Sequence, residues 1–253
     1  MSQPTQNDIA KHLRALHKPG HPLILTNVYD ASTATIIASL PAAQAIATAS
    51  YAVASTLGVP DADLSKSQNL AALQRIVSAA NAVNPSLPVT VDLQDGYGDH
   101  AALASTIREA IALGAVGCNL EDADSTGRLY PLAEAVARVK TVVDAAAAAG
   151  VPDFVLNART DVLFQAGASI DDAVARGRAF LGAGACTVFV WGGAAGPRGV
   201  ERGDSAVGAR VGGHGECEVE LWRGLLGGAG DPPARRGEGE CRAGAVEVCD
   251  EGV

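Results

Sequence analysis

Short apolar runs alternate with stretches of helical period from residue 22 to 191. Pro22-Leu-Ile-Leu-Thr-Asn27 reads as a first strand, and Ala31 to Leu40 as a helix. Gln44-Ala-Ile-Ala-Thr-Ala49 reads as a second strand, followed by a loop through Ser50 and Gly58. From about Ser65 to Asn84, the apolar Leu70, Leu73, Ile76, Val77 and Ala80 recur at the spacing of one helix face. Leu87 to Asp92 is a third strand, and Ala101 to Leu113 a helix closed by Gly114. Val116 to Leu120 is a fourth strand. Pro131 opens an Ala-rich helix that Gly150 closes. Phe154 to Ala158 is a fifth strand, Ser169 caps a helix to about Leu181, and Thr187 to Trp191 is a sixth strand. The strands are almost continuously apolar, as in a parallel sheet covered on both faces. The chain has 253 residues and no G-x-G-x-x-G after its first strand. A (β/α)8 TIM-type barrel therefore fits better than an open doubly wound sheet.

The pattern fades at residue 194. The expected organisation is an α/β barrel catalytic domain over 1–193, holding the first six β/α units, and an aberrant Gly/Arg-rich tail over 194–253. The tail holds 15 of the 29 Gly and 7 of the 15 Arg, and no Phe, Tyr, Met, Ile, Asn or Lys. Two readings compete. One is a flexible, disordered extension. The other is an out-of-frame translation of GC-rich sequence, since the six missing types have AT-rich codons. The second is favoured, because six strands do not close an eight-stranded barrel. The alternation in Cys217 to Trp222 and Ala245 to Cys249 leaves room for two more strands.

Composition narrows the partners. A net charge of −9 argues against nucleic acid or an anionic membrane surface. No apolar run reaches membrane-span length, and the N-terminus lacks the apolar centre of a secretory signal. Five scattered cysteines, odd in number and without a C-x-x-C pair, argue against a disulfide framework or structural zinc. A reducing, cytoplasmic location is expected. The core must be built from Ala, Val, Leu and Ile, since only 4% of residues are aromatic.

Polar residues gather at the carboxyl ends of the strands, which in a parallel barrel share one face. They are Asn27 and Asp30, then Thr48, Ser50 and Tyr51, then Asp92, Gln94 and Asp95. Asn119, Glu121 and Asp122 follow the fourth strand, and Asn157, Arg159 and Asp161 the fifth. Asp92 and Glu121 form the central pair, with Asp30, Asp95, Asp122 and Asp161 nearby. Carboxylates facing one mouth repel one another unless a cation sits among them, and all-oxygen donors suit Mg²⁺ or Mn²⁺. The alternative is that these acids cap helices or solvate the rim; Asp30, just before Ala31, is a plausible N-cap. Arg159 could grip a substrate anion or form a structural ion pair with Asp161 or Glu121. Small residues at Thr48-Ala-Ser-Tyr-Ala52 could bring backbone N–H groups to an anion, though an ordinary turn is the stronger reading. Cys118 and Cys186 read as core thiols.

Five segments, in order and spacing, resemble the isocitrate lyase/phosphoenolpyruvate mutase superfamily. They are Asn27-Val-Tyr-Asp-Ala31, Thr48 to Asp61, Val91-Asp-Leu-Gln-Asp-Gly-Tyr-Gly98, Gly117-Cys-Asn-Leu-Glu-Asp122 and Asn157-Ala-Arg-Thr-Asp161. The resemblance covers about residues 20 to 193. It implies an α/β barrel, a bound Mg²⁺, and a small 2-oxo acid handled through its enolate as a C–C or P–C bond breaks or forms. It implies metal-site positions at Asp92, Gln94 and Glu121, although Gln94 stands where the family usually has an acid. It implies Arg159 on a substrate anion, backbone donors at Ser50, Tyr51 and Ala52, further substrate positions at Asn27 and Asn119, and an active-site acid at Asp30. Homo-oligomers are usual in the family. The Lys-Cys-Gly-His loop of its lyases is replaced here by Asp122-Ala-Asp-Ser-Thr-Gly-Arg-Leu-Tyr130, which points to the phosphonomutase-like branch. A competing reading is a catalytically inactive or truncated paralogue that at most binds a small carboxylic acid.

Overall fold

A computed structural model describes residues 4–18 and 21–192, with the backbone of 207–211 and 219–223. Among the described residues, helix α1 (Gln6–Leu16) precedes five β/α repeats and a sixth strand. The strands are β1 (Thr26–Val28), β2 (Ile46–Thr48), β3 (Val89–Asp92), β4 (Gly117–Glu121), β5 (Val155–Thr160) and β6 (Thr187–Val190). Between them lie α2 (Ala31–Ala38), α3 (Ser50–Leu57), α4 (Lys66–Val83), α5 (His100–Ala112), α6 (Leu132–Ala148) and α7 (Ile170–Gly182). The six strands pair in chain order and all in parallel. Every carboxyl end therefore lies at the same edge, as the apolar pattern requires. Among the described residues the buried cluster is almost wholly Ala, Val, Leu and Ile, with Phe154 and Phe180 buried in it and Tyr97 and Tyr130 packed against it. No helix among the described residues is long and apolar enough to cross a membrane.

Helix starts follow local chemistry. Ser65 caps α4, its hydroxyl accepting from the Gln68 N–H while the Gln68 side chain accepts from the Ser65 N–H. Ser169 with Asp172 builds the same reciprocal box at α7. Exchanging Ser65 for Ala should cost about 1 kcal/mol, read as a lower midpoint in denaturant unfolding.

The structure departs from or adds to the sequence reading at three points. The segment after β2 is helix α3, not a loop: Ser50, Val53 and Ala54 are buried at helical spacing, and packing outweighs the weak propensity of its Ser, Thr and Val residues. An N-terminal helix, α1, was not anticipated; its Gln6 donates to the carbonyls of Ile111 and Ala115, and Arg14 to that of Phe154. The strand expected near Cys217 to Trp222 exists as β8 (Val219–Arg223), but it pairs antiparallel with β7 (Val207–Val211) in a separate two-stranded sheet. An antiparallel pair is not a β/α closing unit, so six parallel strands of an eight-stranded barrel are described. Ala245 to Cys249 lies outside the described residues.

Candidate active site

Parallel pairing aligns polar residues in two rows on one face of the sheet. In the lower row Asp92 stands beside Asn119, Asn119 beside Asn157, and Asn157 beside Thr187. In the upper row Glu121 stands beside Arg159, and Arg159 beside Phe189. Residues two apart on a strand share a face, so both rows point the same way.

Asp92 ends β3 and is held from several sides. Its N–H donates to Thr48 Oγ1 at 2.9 Å, and its carbonyl accepts from Asn69 Nδ2 at 2.8 Å. Its Oδ2 accepts from the Ser50 N–H at 3.0 Å; its Oδ1 accepts from Asn119 Nδ2 at 3.1 Å and the Gln94 N–H at 3.4 Å. A carboxylate has about four acceptor sites, so these leave room on Oδ2.

The chain then turns through four positive φ values: Gln94 at 51°, Gly96 at 90°, Tyr97 at 65° and Gly98 at 129°. Two are not glycine, which is uncommon and costs strain of order 1 kcal/mol each. The turn is braced from outside. Arg138 of α6 donates to the carbonyls of Gly98 and Asp95, and its guanidinium lies 4.7 Å from the Tyr130 ring centroid. Tyr130 Oη donates to Asp95 Oδ2 at 2.8 Å. Gly96 must remain glycine: its φ is left-handed, and a Cβ there would overlap the Leu103 side chain.

Arg159 is gripped by two carboxylates. Its Nη1 donates to Glu121 Oε1 at 2.8 Å; its Nε and Nη2 donate to the two oxygens of Asp161 at 2.6 and 2.8 Å. The guanidinium carbon lies 5.3 Å from the Trp191 ring centroid and 6.0 Å from that of Phe189. Burial alone would lower the Arg159 pKa, but Asp161 and Glu121 outweigh it and hold it above its usual value. Glu121 behaves oppositely. Burial pushes its pKa up to about 8, Asp92, Asp161 and Asp61 push the same way, and Arg159 offsets only part. The mouth is thus short of positive charge.

The acids sort themselves, which corrects the picture of six carboxylates crowding one mouth. Asp30 caps α2, its Oδ1 accepting from the Thr33 N–H at 2.7 Å. Asp95 closes the turn. Asp122 is buried against Arg176 Nε at 2.7 Å, and Asp161 holds Arg159. Asp92 and Glu121 remain, with Asp61. Among the described residues no three His, Cys, Asp or Glu side chains form a metal-ligating group. Two carboxylates with an amide oxygen still match a Mg²⁺ that keeps several waters.

The other candidates are placed as follows. Gln94 turns its Nε2 to the Asp61 carbonyl at 2.8 Å and Asp61 Oδ1 at 3.0 Å. Of the three amides proposed as anion donors, that of Ser50 goes to Asp92 and that of Ala52 to the Ala49 carbonyl. Tyr51 carries the third, with a side chain 61% exposed. Asn119 lies between Asp92 and Asn157, and Asn27 is exposed on β1. Cys118 is fully buried, and burial raises its thiol pKa, so it is an inert core thiol. Sequence reasoning gave no role to Asp61, Asn69, Asn157 or Thr187. Asp61 closed one of the five resembling segments, the one signal that marked it.

A parallel β/α sheet with carboxylates and a guanidinium at its carboxyl edge is the arrangement of an α/β barrel-type site. The chain belongs to the phosphoenolpyruvate phosphomutase family, whose profile matches residues 13–212, within the isocitrate lyase/phosphoenolpyruvate mutase superfamily. It is 32% identical over 177 residues to a chloroplastic carboxyvinyl-carboxyphosphonate phosphorylmutase of Arabidopsis thaliana, covering 66% of this chain and 50% of that protein. A solved structure from Burkholderia cenocepacia J2315, provisionally named a phosphonomutase, is 42% identical with a TM-score of 0.67, covering 74% of each chain. A phosphonopyruvate hydrolase in complex with oxalate and Mg²⁺ is 25% identical with a TM-score of 0.64, covering 78% of this chain and 65% of that one. The chain spans about half the length of the Arabidopsis relative.

Proposed function

We propose that the protein is a Mg²⁺-dependent enzyme of the lyase or phosphonomutase type, acting on a small 2-oxo acid through its enolate to cleave or form a C–C or P–C bond. The observation that carries this is the convergence of Asp92, Glu121 and Arg159 on one face at the carboxyl ends of adjacent strands. Asp92 and Glu121, with the Gln94 amide oxygen, would hold Mg²⁺ or Mn²⁺. When bound, the ion supplies Lewis acidity that stabilises the enolate oxygen. Arg159 keeps its charge and turns toward the substrate carboxylate or phosphonate, with Asp161 fixing its plane. The Tyr51 amide adds a neutral donor at the β2 end, and Asn27 lines the β1 side. Asp30 holds the start of α2, which sets the rim there. Phe189 and Trp191 shield Arg159 from water and strengthen its grip. The likeness to the Mg²⁺–oxalate complex supports this reading. A cytoplasmic location is part of the proposal.

Turnover should be screened over small 2-oxo acids, 2-hydroxy acids and phosphonates. At least one should be turned over, with activity lost in EDTA and restored by Mg²⁺ or Mn²⁺. Turnover indifferent to EDTA would reject the metal reading.

One observation favours the second reading, an inactive paralogue that binds a small acid: the Gln94 side-chain NH₂ is committed to Asp61, leaving only a neutral oxygen for a metal. Exchange of Gln94 for Glu tests it. The new carboxylate would face Asp61, lowering thermal stability without metal, and should tighten Mg²⁺ roughly tenfold by adding a charged donor. Gain of metal affinity without gain of turnover would favour the inactive paralogue.

A further inference from the structure

The lower row is more than an alignment. Thr187 Oγ1 donates to Asn157 Oδ1 at 2.7 Å, Asn157 Nδ2 donates to Asn119 Oδ1 at 3.0 Å, and Asn119 Nδ2 donates to Asp92 Oδ1 at 3.1 Å. Three hydrogen bonds thus cross four strands, each linking register partners. The direction is dictated by chemistry. An ionised Asp92 only accepts, so Asn119 must present its NH₂ to it. The Asn119 oxygen then faces Asn157, which must present its own NH₂. The Asn157 oxygen is left for Thr187, whose hydroxyl can donate. The orientation of both amides is thus set from Asp92 outward, and Thr187, buried to 3% exposure at the far strand, supplies the donor that satisfies the last acceptor and holds the row together.

We infer that Thr187 and Asn157 are positioning residues that act through Asn119 to fix the Asp92 carboxylate at the candidate metal site. This rests on the proposed Mg²⁺ reading for its functional meaning, though not for its structural content. Outer partners that orient a metal ligand typically affect metal affinity by 10–100-fold. Thr187 touches neither Asp92 nor the mouth, so any effect from it must travel along the row.

The test uses the full chain with Thr187→Val, Thr187→Ser and Asn157→Leu. Valine matches threonine in shape but cannot donate; serine restores the donor; leucine removes the middle link. In the metal-free protein, the side-chain amide NMR signals of Asn119 should shift in Thr187→Val and Asn157→Leu and stay at wild-type positions in Thr187→Ser. By calorimetry, Mg²⁺ affinity should fall about tenfold in Asn157→Leu, a few-fold in Thr187→Val, and remain wild type in Thr187→Ser. Unmoved Asn119 signals in Thr187→Val would overturn the inference, as would serine failing to rescue. If the wild type bound no Mg²⁺, the functional reading would fail by itself, and the NMR comparison would still decide whether the row acts as one unit.

Discussion

Replacing Asp92 by Asn should remove metal-dependent turnover while leaving the fold intact. The two side chains match in volume, and the Asp92 backbone bonds to Thr48 and Asn69 do not involve the carboxylate. What changes is charge and polarity. Ser50 and Asn119 both aim N–H donors at the carboxylate, one at each oxygen. An amide can satisfy one and must oppose the other with its own NH₂. The site loses one of its two central anions as well. A fall in kcat/KM of roughly a thousandfold, about 4 kcal/mol of transition-state stabilisation, is expected. Steady-state kinetics across a Mg²⁺ series checks it; wild-type turnover in the variant would refute the assignment of Asp92.

The largest stability effect should come from Arg176→Met. Arg176 and Asp122 pair at 2.7 Å with side chains 10% and 3% exposed. Burial raises the Asp122 pKa despite the bonds from Thr160, Asp161 and Arg176. Without the guanidinium a buried carboxylate is left uncompensated, at a cost of about 3–5 kcal/mol. That corresponds to a fall in Tm on the order of 10 °C. Arg176 also donates to the Tyr130 carbonyl, and Asp122 accepts from the Asp161 N–H, so the support under Arg159 loosens too. Thermal unfolding gives the number. A shift below about 1 kcal/mol would mean that the pair does not hold this corner. Exchanging Asp122 for Leu in the same chain should recover part of the loss, because no unpaired charge then remains.

The strands and most helices were legible because period and caps agreed, as at Ser65 and Ser169. So were Asp92, Glu121 and Arg159 at strand ends, since parallel topology alone brings those ends together. Helix α3 was not legible, because Ser50 to Leu57 is built of small and β-branched residues that read as loop. The role of Asn157 and Thr187 was hidden for a different reason. Register decides which polar residue meets which, and register follows from pairing rather than from local sequence. Two buried arginines did leave a signal. Arg138 falls between Ala135 and Val139, and Arg176 between Ala173 and Phe180, on the buried stripes of their helices. A charge on an apolar stripe marks a buried partner, and here those partners brace the turn after Asp92 and the base of Arg159.

The stretch from Val89 to Asp99 carries two kinds of residue. Asp92 faces the mouth, while Asp95, Tyr97 and Asp99 shape the chain, Asp99 by capping α5. Gln94 stands between the two kinds, with its amide on Asp61.

The most direct test is titration of oxalate, an enolate mimic, into the full chain by calorimetry with Mg²⁺ and then with EDTA. Oxalate should bind only when Mg²⁺ is present, and Asp92→Asn should abolish that binding. Equal oxalate affinity in EDTA, or no binding under either condition, would contradict a metal-dependent site at Asp92 and Glu121.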